Sequence, residues 1–134
     1  MRHQLLDLIR CPYCGHYPLD LLIIEKREIE KTYNVKKPFC SKYCSYLRKF
    51  VDELERVPDC DSCLKIEIVT GVIRCSKCGA WFPVINSIPE MYPLKMRAKK
   101  RAKREREFLE KIKGLVPQEV YEELKHWFEE NIEK

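Results

Sequence analysis

The spacing of apolar residues changes several times along the chain. Residues 4–9 group Leu5, Leu6, Leu8 and Ile9 as a short helix. From Pro18 to about Glu25 the run Leu21-Leu22-Ile23-Ile24 is apolar on both faces of an extended chain, which predicts a strand covered on both sides. Charged residues fill 26–39, where a second, exposed strand through Ile29 fits. Between Ser41 and Val57, the residues Tyr43, Leu47, Phe50, Val51, Leu54 and Val57 recur at spacings of three and four. That predicts a helix capped by Ser41 and ended by Pro58. Leu64 to Val69 alternates as a strand, Thr70-Gly71 reads as a turn, and Val72 to Arg74 as the returning strand. Trp81 to Ile85 is a further strand, Asn86-Ser87 a turn, and Ile88-Pro89-Glu90-Met91 an extended edge, because Pro89 lacks an N–H. Residues 94–113 are helix formers throughout, with a narrow stripe of Leu94, Ala98, Ala102, Leu109 and Ile112 and with Gly114 as the C-cap. Pro117 opens a second helix carrying Val120, Leu124, Trp127 and Phe128 on one face. The two helices form a hairpin packed on itself or on the strands.

Composition limits what this pattern can build. The chain has 134 residues, 45% of them hydrophobic, and that share includes eight cysteines. A core so thin calls for a staple, either disulfides or metal. No apolar run approaches the roughly 18 residues that span a membrane. Leu5-Leu6-Asp7-Leu8-Ile9 is broken by Asp7 and followed by Arg10, too short and too polar for a secretory signal. The expected location is therefore cytoplasmic, where thiols stay reduced.

The cysteines carry the chemistry. They fall in four close pairs: Cys11/Cys14, Cys40/Cys44, Cys60/Cys63 and Cys75/Cys78. Eight thiols so arranged suit two tetrahedral zinc sites of four thiolates each, since a two-residue spacer lets one turn aim both sulfurs at one metal. A disulfide framework is the competing reading, and the compartment argues against it. Cys11-Pro-Tyr-Cys14-Gly15 and Cys75-Ser-Lys-Cys78-Gly79 are alike, each closing on a glycine that can take positive φ. Two such knuckles facing each other make a zinc ribbon. The expected pairing is nested, with Cys11, Cys14, Cys75 and Cys78 outside and Cys40, Cys44, Cys60 and Cys63 inside; sequential pairing is the alternative. The inner set meets a difficulty. If 41–57 is one helix, Cys60 and Cys63 must reach back along roughly 24 Å to its first turn.

Catalysis finds no support. Closed four-thiolate sites leave no open position for water. His3, His16 and His126 have no partnered arrangement and read as surface histidines, and no Gly-rich phosphate loop is present. Charge, in contrast, is concentrated. The net charge is +5, yet residues 95–106 alone hold eight Lys/Arg against one Asp/Glu. Lys95, Arg97, Lys99, Lys100, Arg101, Lys103, Arg104 and Arg106 could bind RNA phosphates. A solvated basic helix, or one paired with the acidic stretch 119–133, is the structural alternative.

Two segments carry a resemblance. Leu5-Leu6-Asp7-Leu8-Ile9-Arg10-Cys11-Pro12-Tyr13-Cys14-Gly15 resembles the opening of the small zinc-ribbon activator subunits shared by tRNA, rRNA and release-factor methyltransferases. The stretch from Gly71 to Met91, holding Cys75-Ser-Lys-Cys78-Gly79-Ala80-Trp81-Phe82-Pro83 and then Ile88-Pro89-Glu90-Met91, resembles their closing motif. The resemblance implies a non-catalytic subunit that binds, stabilises and activates an S-adenosylmethionine-dependent methyltransferase as a heterodimer. It implies partner contacts at Trp81, Phe82, Ile85, Ile88, Pro89 and Met91. The alternative is an RNA-binding zinc-ribbon module in translation or ribosome assembly. The expected fold is α+β: a zinc-ribbon antiparallel sheet from 1–24 and 69–94, a helical insertion with the second cysteine cluster at 25–68, and a C-terminal helical hairpin at 95–134.

Overall fold

The structure, a computed structural model, describes residues 1–30 and 36–133. The part of the charged 26–39 stretch at 31–35 lies outside the described residues. Helix α1 (Leu5–Leu8) leads into the first cysteine turn. Strand β1 (Asp20–Glu28) follows, longer than its apolar run. The insertion holds β2 (Tyr43–Cys44), β3 (Lys49–Phe50) and α2 (Cys60–Leu64). Strands β4 (Ile66–Arg74), β5 (Trp81–Ile85) and β6 (Ile88–Pro89) complete an antiparallel sheet of order β1-β4-β5-β6. A continuous helical stretch begins with α3 (Leu94–Met96), passes through a π-type turn at Arg97–Arg101 and continues as α4 (Ala102–Ile112). Gly114, at φ 85°, ends it, and α5 (Gln118–Asn131) runs back.

Neighbouring residues of the central strands point into two different cores. Ile73, Phe82 and Val84 join Leu6, Leu19 and Leu21 on one face. Val72 and Trp81 meet Phe108, Leu109, Ile112, Leu124 and Phe128 on the other. Leu21 and Ile23 face the first core while Leu22 and Ile24 face the second, as a strand covered on both sides requires. The helical hairpin is therefore packed on the sheet, and Trp81 Nε1 donates to the Leu124 carbonyl at 2.9 Å. Asn86 and Ser87 both take positive φ, 51° and 68°, the backbone of a two-residue hairpin between β5 and β6.

Two expectations are corrected. Thr70-Gly71 is no turn, because β4 runs straight through it and Gly71 pairs with Ile23 of β1. A Cβ on Gly71 would lie 2.8 Å from the Leu22 carbonyl oxygen, so glycine serves close strand approach there. Nor is 41–57 a helix. It folds as the small β2–β3 hairpin and a single 3₁₀ turn at Val51–Glu53. The Asp7 carboxylate, from α1, accepts the N–H groups of Ser41, Lys42 and Tyr43 at 2.7–2.9 Å, so Ser41 caps nothing. Tyr43 and Phe50 pair across the hairpin with ring centroids 5.6 Å apart. Leu47, Phe50 and Val57, three members of the supposed buried stripe, are exposed. The described part of the insertion is mostly irregular rather than helical, while the α+β class stands.

The second core is closed by a charge pair. Arg97 and Glu105 are both 0% exposed, and the guanidinium binds the carboxylate at 2.7–3.1 Å. The rings of Trp81, Phe82 and Trp127 lie 4.9–5.6 Å from the Arg97 guanidinium carbon. A π-type turn takes up one extra residue, which brings a residue eight positions on to the face a regular helix reaches at seven. Replacing Glu105 by Ala strands a buried cation and is expected to cost about 3–5 kcal/mol in denaturant unfolding. The double variant Arg97→Met, Glu105→Leu is expected to lose less than Glu105→Ala alone; equal or greater loss would show the pair to be stabilising in itself.

Candidate metal centre

The two knuckles fold by the same hydrogen bonds. In the first, the Cys11 N–H donates to the His16 carbonyl at 2.9 Å and the Gly15 N–H to the Cys11 carbonyl at 2.8 Å. In the second, the Cys75 N–H donates to Ala80 at 2.8 Å and the Gly79 N–H to Cys75 at 3.0 Å. Gly15 and Gly79 sit at φ 77° and 81°, where a side chain would be strained. The antiparallel pairing of Asp20 with Arg74 brings the strand ends that carry the knuckles side by side.

The four outer sulfurs converge. Cys11 Sγ lies 3.6 Å from Cys78 Sγ, and Cys14 Sγ lies 3.5 Å from Cys75 Sγ. All four lie within 4.8 Å of one another. Thiolates around a tetrahedral zinc sit about 3.8 Å apart, given Zn–S near 2.3 Å, so this quartet fits one such ion. The His16 N–H helps hold the Cys14 thiol down at about 7, whereas burial pushes the Cys11 thiol up and Cys78 up to about 12; the Cys78 N–H points at Cys75 Sγ. Tyr13, inside the first knuckle, stacks on Trp127 and accepts from Arg97 Nη1 at 3.3 Å, tying the metal turn to the second core.

The inner cysteines stand differently. Cys40, Cys44, Cys60 and Cys63 line one small cavity together with Gln4. Cys44, Cys60 and Cys63 are buried. Among the described residues, the outer quartet alone closes within 4.8 Å; the inner four share their cavity at a wider span. No disulfide joins any two of the eight cysteines. With no helix at 41–57, the long reach back from Cys60 and Cys63 disappears.

The residues expected at a partner surface are scattered. Trp81 and Phe82 are enclosed by the chain itself, one in each core. Ile85, Pro89 and Met91 are half-buried, while Ile88 is 62% exposed. The expected single apolar patch is thus not present, because the C-terminal hairpin takes Trp81. Of the large apolar side chains between Trp81 and Met96, Ile88, Leu94 and Met96 stay exposed.

The basic segment divides in two. Arg97 is buried. Arg104 and Arg101 reach the buried Glu90 carboxylate at 2.8 and 3.7 Å, and Arg106 pairs with Glu133. Lys95, Lys99, Lys100 and Lys103 are exposed, with no ion pair among the described residues. The histidines also divide: His16 is half-buried and His126 exposed, but His3 is buried, hydrogen-bonded to Ser45 Oγ at 2.9 Å, and its pKa is lowered to about 4 by that burial.

Three functional contacts escaped the sequence reading: Asp7 on the insertion, Gln4 on Cys63, and Glu105 on Arg97. Glu105 left a signal, as the lone acid among eight cations, and Asp7 left one as the lone charge between Leu5 and Ile9.

Replacing Cys75 or Cys78 by Ser is expected to abolish zinc retention and unfold the ribbon, because metal-binding free energy there is folding free energy. Circular dichroism and metal content check this together; a variant that keeps both its fold and its zinc would remove this quartet as the structural centre.

Comparison with known proteins places the chain. No curated protein matches it. The family model described as Trm112p-like protein matches residues 2–87, from before the first knuckle to past the second. That span is more than half the chain and takes in all four outer cysteines. The chain belongs to the Trm112p-like family, the family of methyltransferase activator subunits.

Proposed function

We propose that this chain is the non-catalytic zinc subunit of a heterodimer with an S-adenosylmethionine-dependent methyltransferase acting on tRNA, rRNA or a translation factor in the cytoplasm. The family match over residues 2–87 carries the reading. A closed four-thiolate centre agrees with it, because such a site has no open position for substrate. No helix among the described residues is long and apolar enough to cross a membrane.

Burial in the fold supports a docking site at the sheet edge. The Trp81 face is already filled, so a partner meets the rim of the sheet instead. Strand β6 is the outer strand beyond β5, and Ile88 on it is exposed. Pairing of a partner strand to that edge would supply main-chain bonds, with Ile88, Leu94 and Met96 supplying apolar contact. Covering the partner's own apolar surface there would keep it soluble and ordered, which is how a subunit without an active site can raise activity.

The double variant Ile88→Asp, Leu94→Asp is expected to keep its zinc and lose the methyltransferase in co-expression and co-purification. The expected weakening is at least roughly 30-fold, the size of one interface hot spot. A wild-type chain that neither co-purifies with nor activates any co-expressed methyltransferase would sink the proposal.

The four exposed lysines favour a second role beside the first. We infer that Lys95, Lys99, Lys100 and Lys103 present a phosphate-binding stripe to RNA. Changing all four to Glu is expected to weaken tRNA binding and flatten its dependence on salt. Unchanged affinity would make the stripe a solvated face.

A further inference from the structure

We propose that Cys40, Cys44, Cys60 and Cys63 hold a second ion of the zinc class, in a closed structural site that clasps the insertion to the N-terminal helix. The inference stands on residues outside the knuckles and does not depend on the methyltransferase reading.

The insertion cannot hold itself. Between β1 and β4, its regular structure among the described residues is two two-residue strands, one 3₁₀ turn and one five-residue helix. Leu47, Phe50 and Val57 are exposed, so little apolar surface is buried in return for ordering it. Segments of this kind are stable when cross-linked or metal-bound. Asp7 fixes the bend at Ser41-Lys42-Tyr43, between Cys40 and Cys44. Asp59 caps α2, its carboxylate accepting the Ser62 N–H at 3.1 Å, which sets Cys60 and Cys63 on one turn. These two independent devices turn four thiols into one cavity.

Gln4 supplies the observation that points to a charged sulfur there. It is buried at the end of the N-terminal segment, and its Nε2 donates to Cys63 Sγ at 2.9 Å. Its Oε1 has no hydrogen-bond partner. A neutral thiol is a weak acceptor and a poor reason to bury an amide. A metal-bound thiolate is a strong acceptor, and side-chain donors aimed at ligand atoms are the usual outer shell of a metal site. Binding of one divalent ion would displace four thiol protons to the solvent and leave a site of net charge −2. The Gln4 amide partly offsets that charge. Closing on the ion draws the sulfurs together from the span they have in the cavity.

The test counts metal on the full chain. Purified from zinc-supplemented cells, it is expected to carry two zinc ions by elemental analysis, and the double variant Cys60→Ser, Cys63→Ser one. Gln4→Leu provides a milder arm. It should still bind two ions, with one of them about 10–100-fold weaker in chelator competition. Cobalt titration gives an independent count through tetrahedral thiolate absorption, with two equivalents expected. One equivalent in the wild-type chain would overturn the site. So would a second equivalent that survives loss of both Cys60 and Cys63, or disulfide-bonded inner cysteines in the freshly purified protein.

Discussion

A sheet that is apolar on both faces must be covered twice, and this chain has just enough material to do so. Strands β1, β4 and β5 send alternate side chains into separate cores. One core is roofed by the N-terminal turn, the first knuckle and Tyr43. The other is roofed by the C-terminal hairpin. Apolar burial at roughly 25 cal/mol per Å² makes leaving either face open costly. The opposite placing of Trp81 and Phe82 and the seat of the hairpin on the sheet both follow from that demand.

Electrostatics then decides how the hairpin sits. A segment with eight cations packs against a sheet only if the charges turned toward the sheet are answered. Glu105 answers Arg97 inside the core, and the nearly buried Glu90 answers Arg101 and Arg104 at the sheet edge. Glu90 follows β6 directly, so the same carboxylate that anchors the helix also borders the open strand. Partner edge and basic stripe are therefore neighbours along the chain rather than separate modules.

The parts of the molecule that local spacing dictates were readable. Cys-x-x-Cys-Gly fixes a knuckle whatever surrounds it, and the double-sided run at Leu21–Ile24 foretold a covered strand. Asn86-Ser87 and Gly114 behaved as their turn chemistry requires. The failures came from distant partners. The spacing of Tyr43 to Val57 imitates a helix, but Asp7 claims the N–H groups that would begin one. Gly71 looked like a turn because its partner, the Leu22 carbonyl, lies on another strand. Trp81 and Phe82 could have been separated on the sequence alone: adjacent residues of one strand cannot share a surface.

The ribbon's ligands come from far apart, Cys14 and Cys75 being 61 residues distant. Closing a flexible loop costs only about 0.6 kcal/mol more for each doubling of its length. The metal centre is thus nearly indifferent to how much chain is strung between its halves. Extra length at the exposed residues 55–57 would therefore spare both the ribbon and the Asp7 and Tyr43 contacts that seat the insertion on it. New recognition surfaces can be tried there at little risk to the fold.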